Sequence, residues 1–291
     1  MLFGLIANLK REGADKAVWD FVNWARDRGH ETVLGDDLRE QFDHDLKFAP
    51  HEKLAEDADI VVSMGGDGTL LATARLVLTL GKPVLGINLG SLGFLTQLSP
   101  SQLVEALDAI VAGKYQVEKR MLLEVEVPGG APLESPYALN DVVIDNGPVS
   151  RLVEIYLSVN GENVVSYRAD GLVIATPTGS TAYSLAVGGP IVHPKMEAII
   201  TSPISSFSLT TRPMIVSSAE TLEIKIHSQH GQAGLTLDGQ IMVVLGNSDR
   251  VIIRKAEHYL KLIVFPENSY YGLLKNKLHW GRSPLDSADP E

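Results

Sequence analysis

The residues Asp59-Ile60-Val61-Val62-Ser63-Met64-Gly65-Gly66-Asp67-Gly68-Thr69-Leu70-Leu71-Ala72-Thr73-Ala74-Arg75-Leu76-Val77-Leu78 decide the fold class. Their first part is an almost unbroken apolar run, the pattern of a strand covered on both faces. Paired glycines break it, and a stretch rich in Leu and Ala follows that favours a helix. Buried strand, glycine turn and helix in succession form the repeating unit of a parallel sheet.

The same alternation continues on either side. Leu2 to Ala7 is an apolar run, and Ala14, Ala17, Val18, Phe21, Val22 and Ala25 recur at helical spacing until Gly29 supplies a stop. Downstream, Pro83 to Asn88 has the pattern of the next strand. Ser99-Pro100-Ser101-Gln102 then offers a capping serine, a proline at the first helical position and a glutamine three residues on, and Gly113 closes the helix they open. This predicts an α/β domain with a parallel sheet, whose ligand sits at the carboxyl ends of the strands.

From about residue 115 the period changes to two, as in Glu124-Val125-Glu126-Val127 and Glu223-Ile224-Lys225-Ile226. Val159-Asn160-Gly161-Glu162 and Leu237-Asp238-Gly239-Gln240 carry the Asn-Gly and Asp-Gly signals of two-residue hairpin loops. The second part is therefore expected to be mostly β, interrupted by one helix near Thr181 to Val187. Leu273, Leu274, Lys277, Leu278 and Trp280 mark a short amphipathic helix near the end, before a polar tail after Gly281. A chain of 291 residues suits two cores better than one.

Composition narrows the function. With 45% hydrophobic and 21% charged residues the chain is ordinary globular protein. The absence of cysteine excludes disulfides and thiolate metal sites and is compatible with a reducing compartment, so a cytoplasmic location is expected. Met1 to Asn8 is apolar but too short for a signal peptide or a membrane span. A net charge of −11 opposes a nonspecific hold on nucleic acid or anionic lipid, so neither is expected as a partner. Any phosphate must be bound locally.

Gly65-Gly66-Asp67-Gly68-Thr69, between a strand and a helix, offers backbone N–H groups and a helix amino end to an anion. Asp67 puts a carboxylate beside that anion, a repulsion that is useful if the carboxylate accepts a proton from an attacking hydroxyl. The plainer reading is an Asp that caps the helix or shapes the turn. The common nucleotide loops do not fit: Gly-x-x-x-x-Gly-Lys-[Ser/Thr] is missing, and Leu71 stands where the dinucleotide fingerprint needs its last glycine. A second cluster, Tyr167-Arg168-Ala169-Asp170-Gly171 continuing to Thr176-Pro177-Thr178-Gly179-Ser180-Thr181-Ala182-Tyr183-Ser184-Leu185-Ala186, places small residues, hydroxyls and a flat ring in one strand-turn-helix segment suited to a base. Asn140-Asp141 sets two acceptors at the head of a strand, suited to ribose hydroxyls or, more plainly, to a turn. Arg151 and Arg168 are the nearest phosphate-binding candidates. Asp238-Gly239-Gln240 is most simply a hairpin turn. The eight histidines form no metal-binding spacing, so no protein-built metal cage is expected.

Together, Gly65-Gly66-Asp67-Gly68-Thr69-Leu70, Asn140-Asp141, Asp170-Gly171, Thr176 to Ser184 and Asp238-Gly239-Gln240 closely resemble the bacterial NAD kinase family, in matching order, from Leu2 to about Trp280. The Gly-Gly-Asp-Gly core alone would also admit sugar and lipid kinases, and a catalytically silent NAD-binding sensor is a further alternative. The resemblance implies a Rossmann-like α/β N-terminal domain, residues 1–115, completed by a C-terminal helix within about 268–291. It also implies a mostly β, sandwich-like NAD-binding domain over residues 116–267, with NAD between the two. It implies phosphorylation of the adenosine ribose 2′-hydroxyl of NAD by ATP, polyphosphate being an open alternative donor, with a divalent cation, magnesium, on the donor phosphates. Asp67 would take the hydroxyl proton and Gly68 adjoin it, with Gly65, Gly66, Gly68 and Thr69 as phosphate loop. Asn140, Asp141, Arg151, Arg168, Asp170 and Thr181 to Ala186 (Thr181, Ala182, Tyr183, Ser184, Leu185, Ala186) would contact NAD, and Gln240 would close the site. A homodimer or homotetramer is implied.

Overall fold

The computed structural model describes residues 1–42, 45–130, 132–147, 152–229, 231–266 and 269–280. The chain divides into two compact units, Met1–Glu118 together with the chain from Lys261 onward, and Lys119–Leu260.

The first unit is the parallel α/β layer that the apolar runs predict. Its elements are β1 (Leu2–Ala7), α1 (Ala14–Asp27), β2 (Glu31–Gly35), β3 (Phe48–Ala49), α2 (His51–Asp57), β4 (Ile60–Gly65), α3 (Asp67–Val77), β5 (Pro83–Asn88) and α4 (Leu103–Val111). The strands lie in the order β5-β4-β1-β2-β3, all parallel. A late segment completes the sheet, Lys261 and Leu262 pairing parallel with Pro83 and Val84 on the free side of β5. On one face Phe3, Leu5, Val62 and Leu85 meet Val18, Phe21 and Trp24 of α1 and Leu103 and Leu107 of α4 in one core, each such side chain contributing about 1.5–3 kcal/mol on burial. The Trp24 indole also donates to Asp108 of α4 at 2.8 Å. On the other face, a Cβ on Gly4 would meet Leu54 of α2, and one on Gly86 would meet Leu70 of α3. These two glycines let the second pair of helices approach the strands. At the start of α4, Ser99 and Gln102 exchange both bonds of a capping box, as their spacing predicts.

The second unit is a sandwich of two antiparallel sheets. It contains most of β6 (Gln116–Glu126), β7 (Tyr137–Ala138), β8 (Asp141–Asp145), β9 (Val153–Val159), β10 (Glu162–Ala169), β11 (Gly171–Ala175), α5 (Tyr183–Ala186), β12 (Ala198–Ile204), β13 (Met214–Ser217), β14 (Leu222–His227), β15 (Gln232–Leu237), β16 (Ile241–Gly246) and β17 (Arg250–Val264) up to Leu260. One sheet runs β13-β12-β11-β8-β15-β16, and β10-β9-β14-β17 forms the other. Alternate residues of both, among them Val142, Ile144, Leu172, Ile174, Ile155, Leu157, Leu222 and Ile224, share one core. The outer face of β8 and β11 is partly roofed, Val143, Val173 and Ala175 packing with Val187 and Val192. Asn160-Gly161 and Asp238-Gly239 take positive φ throughout, 49°, 83°, 51° and 65°, as two-residue hairpin turns require. α6 (Tyr270–Leu278) is the C-terminal helix and belongs to the first unit.

Candidate active site

In the first unit β4 stops at Gly65 and α3 begins at Asp67. Thr69 folds back so closely that no side chain fits on Gly65, whereas a Cβ on Gly68 would meet nothing within 4 Å. The N–H groups of Thr69 and Leu70 donate to the Gly66 carbonyl at 3.0 and 3.2 Å. Those two amides are spent inside the turn, so any anion site it offers lies before Thr69.

Asp67 makes no cap to its own helix. Its carboxylate instead reaches the loop that follows β5. Oδ2 accepts the Phe94 N–H at 2.8 Å, and Oδ1 accepts the N–H groups of Leu95 and Thr96 at 3.1 and 3.0 Å and the Thr96 hydroxyl at 2.9 Å. No residue of this loop, Leu89 to Gln97, is among the candidates that the sequence offers. Its signal was topological: parallel neighbours β4 and β5 end at the same edge, so the loops leaving them must meet. Arg11 was missed as well. A Cβ on Gly66 would lie 3.7 Å from Arg11 Nη2 and one on Gly90 3.8 Å from Arg11 Nη1, so the guanidinium stands over both loops. Among the described residues it has no ion-pair or hydrogen-bond partner.

In the second unit the hairpin at Asp238 does more than turn the chain. The Asp238 carboxylate accepts the backbone N–H groups of Leu139, Asn140 and Asp141 at 2.9, 2.7 and 3.1 Å, fixing the strand head. The hydroxyl-rich segment braces the same backbone: the Thr176 hydroxyl donates to the Leu139 carbonyl at 2.6 Å, and the Thr176 N–H to that of Asn140 at 2.9 Å. Gly179 lies against Asn140 with no room for a side chain. Asn140, Asp141, Ala182, Tyr183, Thr236 and Asp238 line an open cavity of about 370 Å³. Asp141 is 5% exposed, and burial, followed by the nearby Asp238 charge, pushes its carboxyl up to about 7 against the pull of the Tyr183 backbone N–H. Near neutrality it can therefore donate or accept a hydrogen bond.

The remaining sequence candidates are dispersed. Thr181 sits in the tight turn Gly179–Thr181, its hydroxyl on the Thr178 carbonyl at 3.3 Å, and the buried Ser184 faces Ser202 at 3.2 Å. Leu185 and Ala186 complete α5. Arg168, largely exposed on β10, lies 3.8 Å from Glu154. Asp170 ties its N–H to the Ile204 carbonyl and its own carbonyl to the Asn146 N–H, and Gln240 closes the hairpin onto the Leu237 carbonyl at 3.0 Å. Arg168, Asp170 and Gln240 do not line the cavity. Arg151 falls outside the described residues. No group of three or more His, Asp or Glu side chains that could hold a metal occurs among the described residues.

Comparison with known proteins identifies the family. Over 263 residues the chain is 39% identical to the NAD kinase of Geotalea daltonii, covering 90% of this chain and 92% of that one. Over 285 residues it is 38% identical to the NAD kinase of Magnetococcus marinus, covering 96% and 94%. Among solved structures, a yeast NADH kinase complexed with NADH matches with a TM-score of 0.89 at 25% identity, covering 97% of this chain and 89% of that chain. An NAD kinase from Archaeoglobus fulgidus in complex with ATP matches with a TM-score of 0.77 at 27% identity, covering 96% and 99%. Residues 3–115 match the ATP-NAD kinase N-terminal domain and residues 139–265 the ATP-NAD kinase C-terminal domain, so the chain belongs to the NAD kinase family.

Proposed function

We infer that this chain is an ATP-dependent NAD kinase, transferring the γ-phosphoryl of ATP to the 2′-hydroxyl of the adenosine ribose of NAD to give NADP. The observation that carries the reading is the match of both family domains, together with a carboxylate in the first unit, Asp67, that is fixed in direction at the carboxyl end of the parallel sheet. In the reaction the ribose oxygen attacks phosphorus, the bond to the β-phosphate oxygen breaks, ADP leaves, and Asp67 takes the hydroxyl proton. General-base help of this kind supplies roughly 10²–10⁴-fold, the remainder coming from positioning and charge.

Gly65, Gly66 and Gly68 are assigned to the phosphate turn, Thr69 closing it with its own N–H spent on Gly66, and Arg11 supports the assignment as an unpaired cation poised over Gly66 and Gly90. The donor phosphates would carry a divalent cation, magnesium, which would offset their charge; no described side chains form a cage for it, so the phosphates themselves would hold it. In the β-rich unit, Asn140, Asp141, Ala182 and Tyr183 hold NAD, a role supported by their shared cavity. Arg151, Arg168, Asp170, Thr181, Ser184, Leu185, Ala186 and Gln240 are assigned to NAD by family resemblance. Self-association as a homodimer or homotetramer is supported by Met242 and Val244, exposed at 74% and 62% on the edge strand β16. A cytoplasmic location is supported by the absence of cysteine. No described helix is long and apolar enough to cross a membrane.

The test is a coupled assay in which NADP formed from NAD and ATP is read by an NADP-specific dehydrogenase, with polyphosphate, fructose 6-phosphate and diacylglycerol in parallel arms. NADP formation with ATP is expected. Phosphorylation of the sugar or lipid alone, or NAD binding without turnover under any donor, would overturn the assignment.

A further inference from the structure

We propose that Thr96, oriented by Asn88, is a positioning residue that reserves Oδ2 of Asp67 for the ribose proton. The proposal rests on Asp67 being the base. A carboxylate has about four acceptor positions, two on each oxygen. Among the described residues three donors, the Leu95 and Thr96 N–H groups and the Thr96 hydroxyl, crowd Oδ1, whereas Oδ2 receives only the Phe94 N–H at 2.8 Å. Oδ2 alone keeps a position for a further proton donor.

The direction of the Thr96 hydroxyl is set by a chain of one-way donations. The Gly90 N–H donates to Asn88 Oδ1 at 2.7 Å, which fixes the amide's orientation. Asn88 Nδ2, which can only donate, then lies 2.7 Å from Thr96 Oγ1. The hydroxyl must accept there, so its single hydrogen turns to Asp67 Oδ1 at 2.9 Å. Asn88 is 3% exposed and Thr96 fully buried, so water does not compete for these bonds. Gly93 permits the close wrap, because a Cβ on it would collide with the Asp67 carboxylate and the Thr96 hydroxyl. With the hydroxyl removed, the carboxylate loses a reason to keep Oδ1 inward, and fewer molecules present Oδ2 at any moment.

The experiment compares Thr96→Val, Thr96→Ser and Asn88→Asp with the parent enzyme, each also placed on Asp67→Asn. Thr96→Val is expected to lower kcat by about tenfold or more, with KM for NAD and for ATP changed less than about threefold. Thr96→Ser keeps the donor and restores kcat. Asn88→Asp, nearly the same size, offers Thr96 an acceptor in place of a donor and is expected to lower kcat as Thr96→Val does. On Asp67→Asn none of the three lowers the residual turnover further. Parent-like kcat in both Thr96→Val and Asn88→Asp, or an equal fractional loss with and without the Asp67 carboxylate, overturns the proposal. If Asp67→Asn itself turns over like the parent, the base assignment falls instead, and the two failures are told apart.

Discussion

Asp67 receives four donors from the loop that follows the neighbouring strand, whereas Asp141 is buried in its cavity facing a second carboxylate, Asp238. The first arrangement fixes the direction of a carboxylate and leaves one oxygen with room for a proton. The second fixes position and leaves protonation poised near neutrality. Asp238 differs from its neighbour although the two adjoin, because three backbone N–H groups point at it. The environment of a carboxylate, rather than the residue type, thus decides whether it steers a proton, holds one, or clamps a backbone.

The largest break in this comparison comes from Asp67→Asn, which keeps size and loses the proton acceptor. kcat is expected to fall by roughly 10²–10⁴-fold while KM for NAD moves little, as steady-state kinetics would show. Asp238→Ala comes next, since it strips three amides of a charged acceptor; urea unfolding should show a loss of about 3 kcal/mol or more, with Asp238→Asn losing less.

Asp141→Asn sharpens the contrast through pH. The folded Asp141 carboxyl lies above its ordinary range, so its protonated form favours the fold at low pH and that contribution is lost as pH rises toward and through about 7. Parent stability should therefore drop by about 2 kcal/mol more than that of Asp141→Asn between pH 5 and pH 8, measured by denaturant melts. The smallest effect belongs to Arg11→Gln. It should raise KM for ATP about tenfold at unchanged KM for NAD, the size of one charge-assisted contact to phosphate.

The legible parts of the fold were those whose cause is local. The turn at Gly65-Gly66 follows from two adjacent glycines after an apolar run, and the Asn160-Gly161 hairpin from left-handed φ values that Asn and Gly tolerate. The strand head at Asn140-Asp141 was also visible. What escaped notice depends on distant partners. β2 is a short edge-side strand with exposed Glu31, and α2 spans seven residues from His51 to Asp57, too few for a periodic signal. The helix read over Thr181 to Val187 shrinks to Tyr183–Ala186. Ser180 ties its side chain to the Pro177 and Val192 carbonyls, which holds the preceding residues in a tighter turn. In the candidate site, Asp67 stood out because a carboxylate beside a phosphate turn is chemically odd. Thr96 and Asn88 are ordinary residues until two adjacent parallel strands set their loops side by side.

The pairing of Lys261 and Leu262 with Pro83 and Val84 has a consequence for biosynthesis. While the ribosome is still making the sandwich, β5 is a bare outer strand with unpaired peptide groups, open to a neighbouring nascent chain. The α/β unit begun first is thus finished last, and closing it across such a span of sequence favours slow maturation.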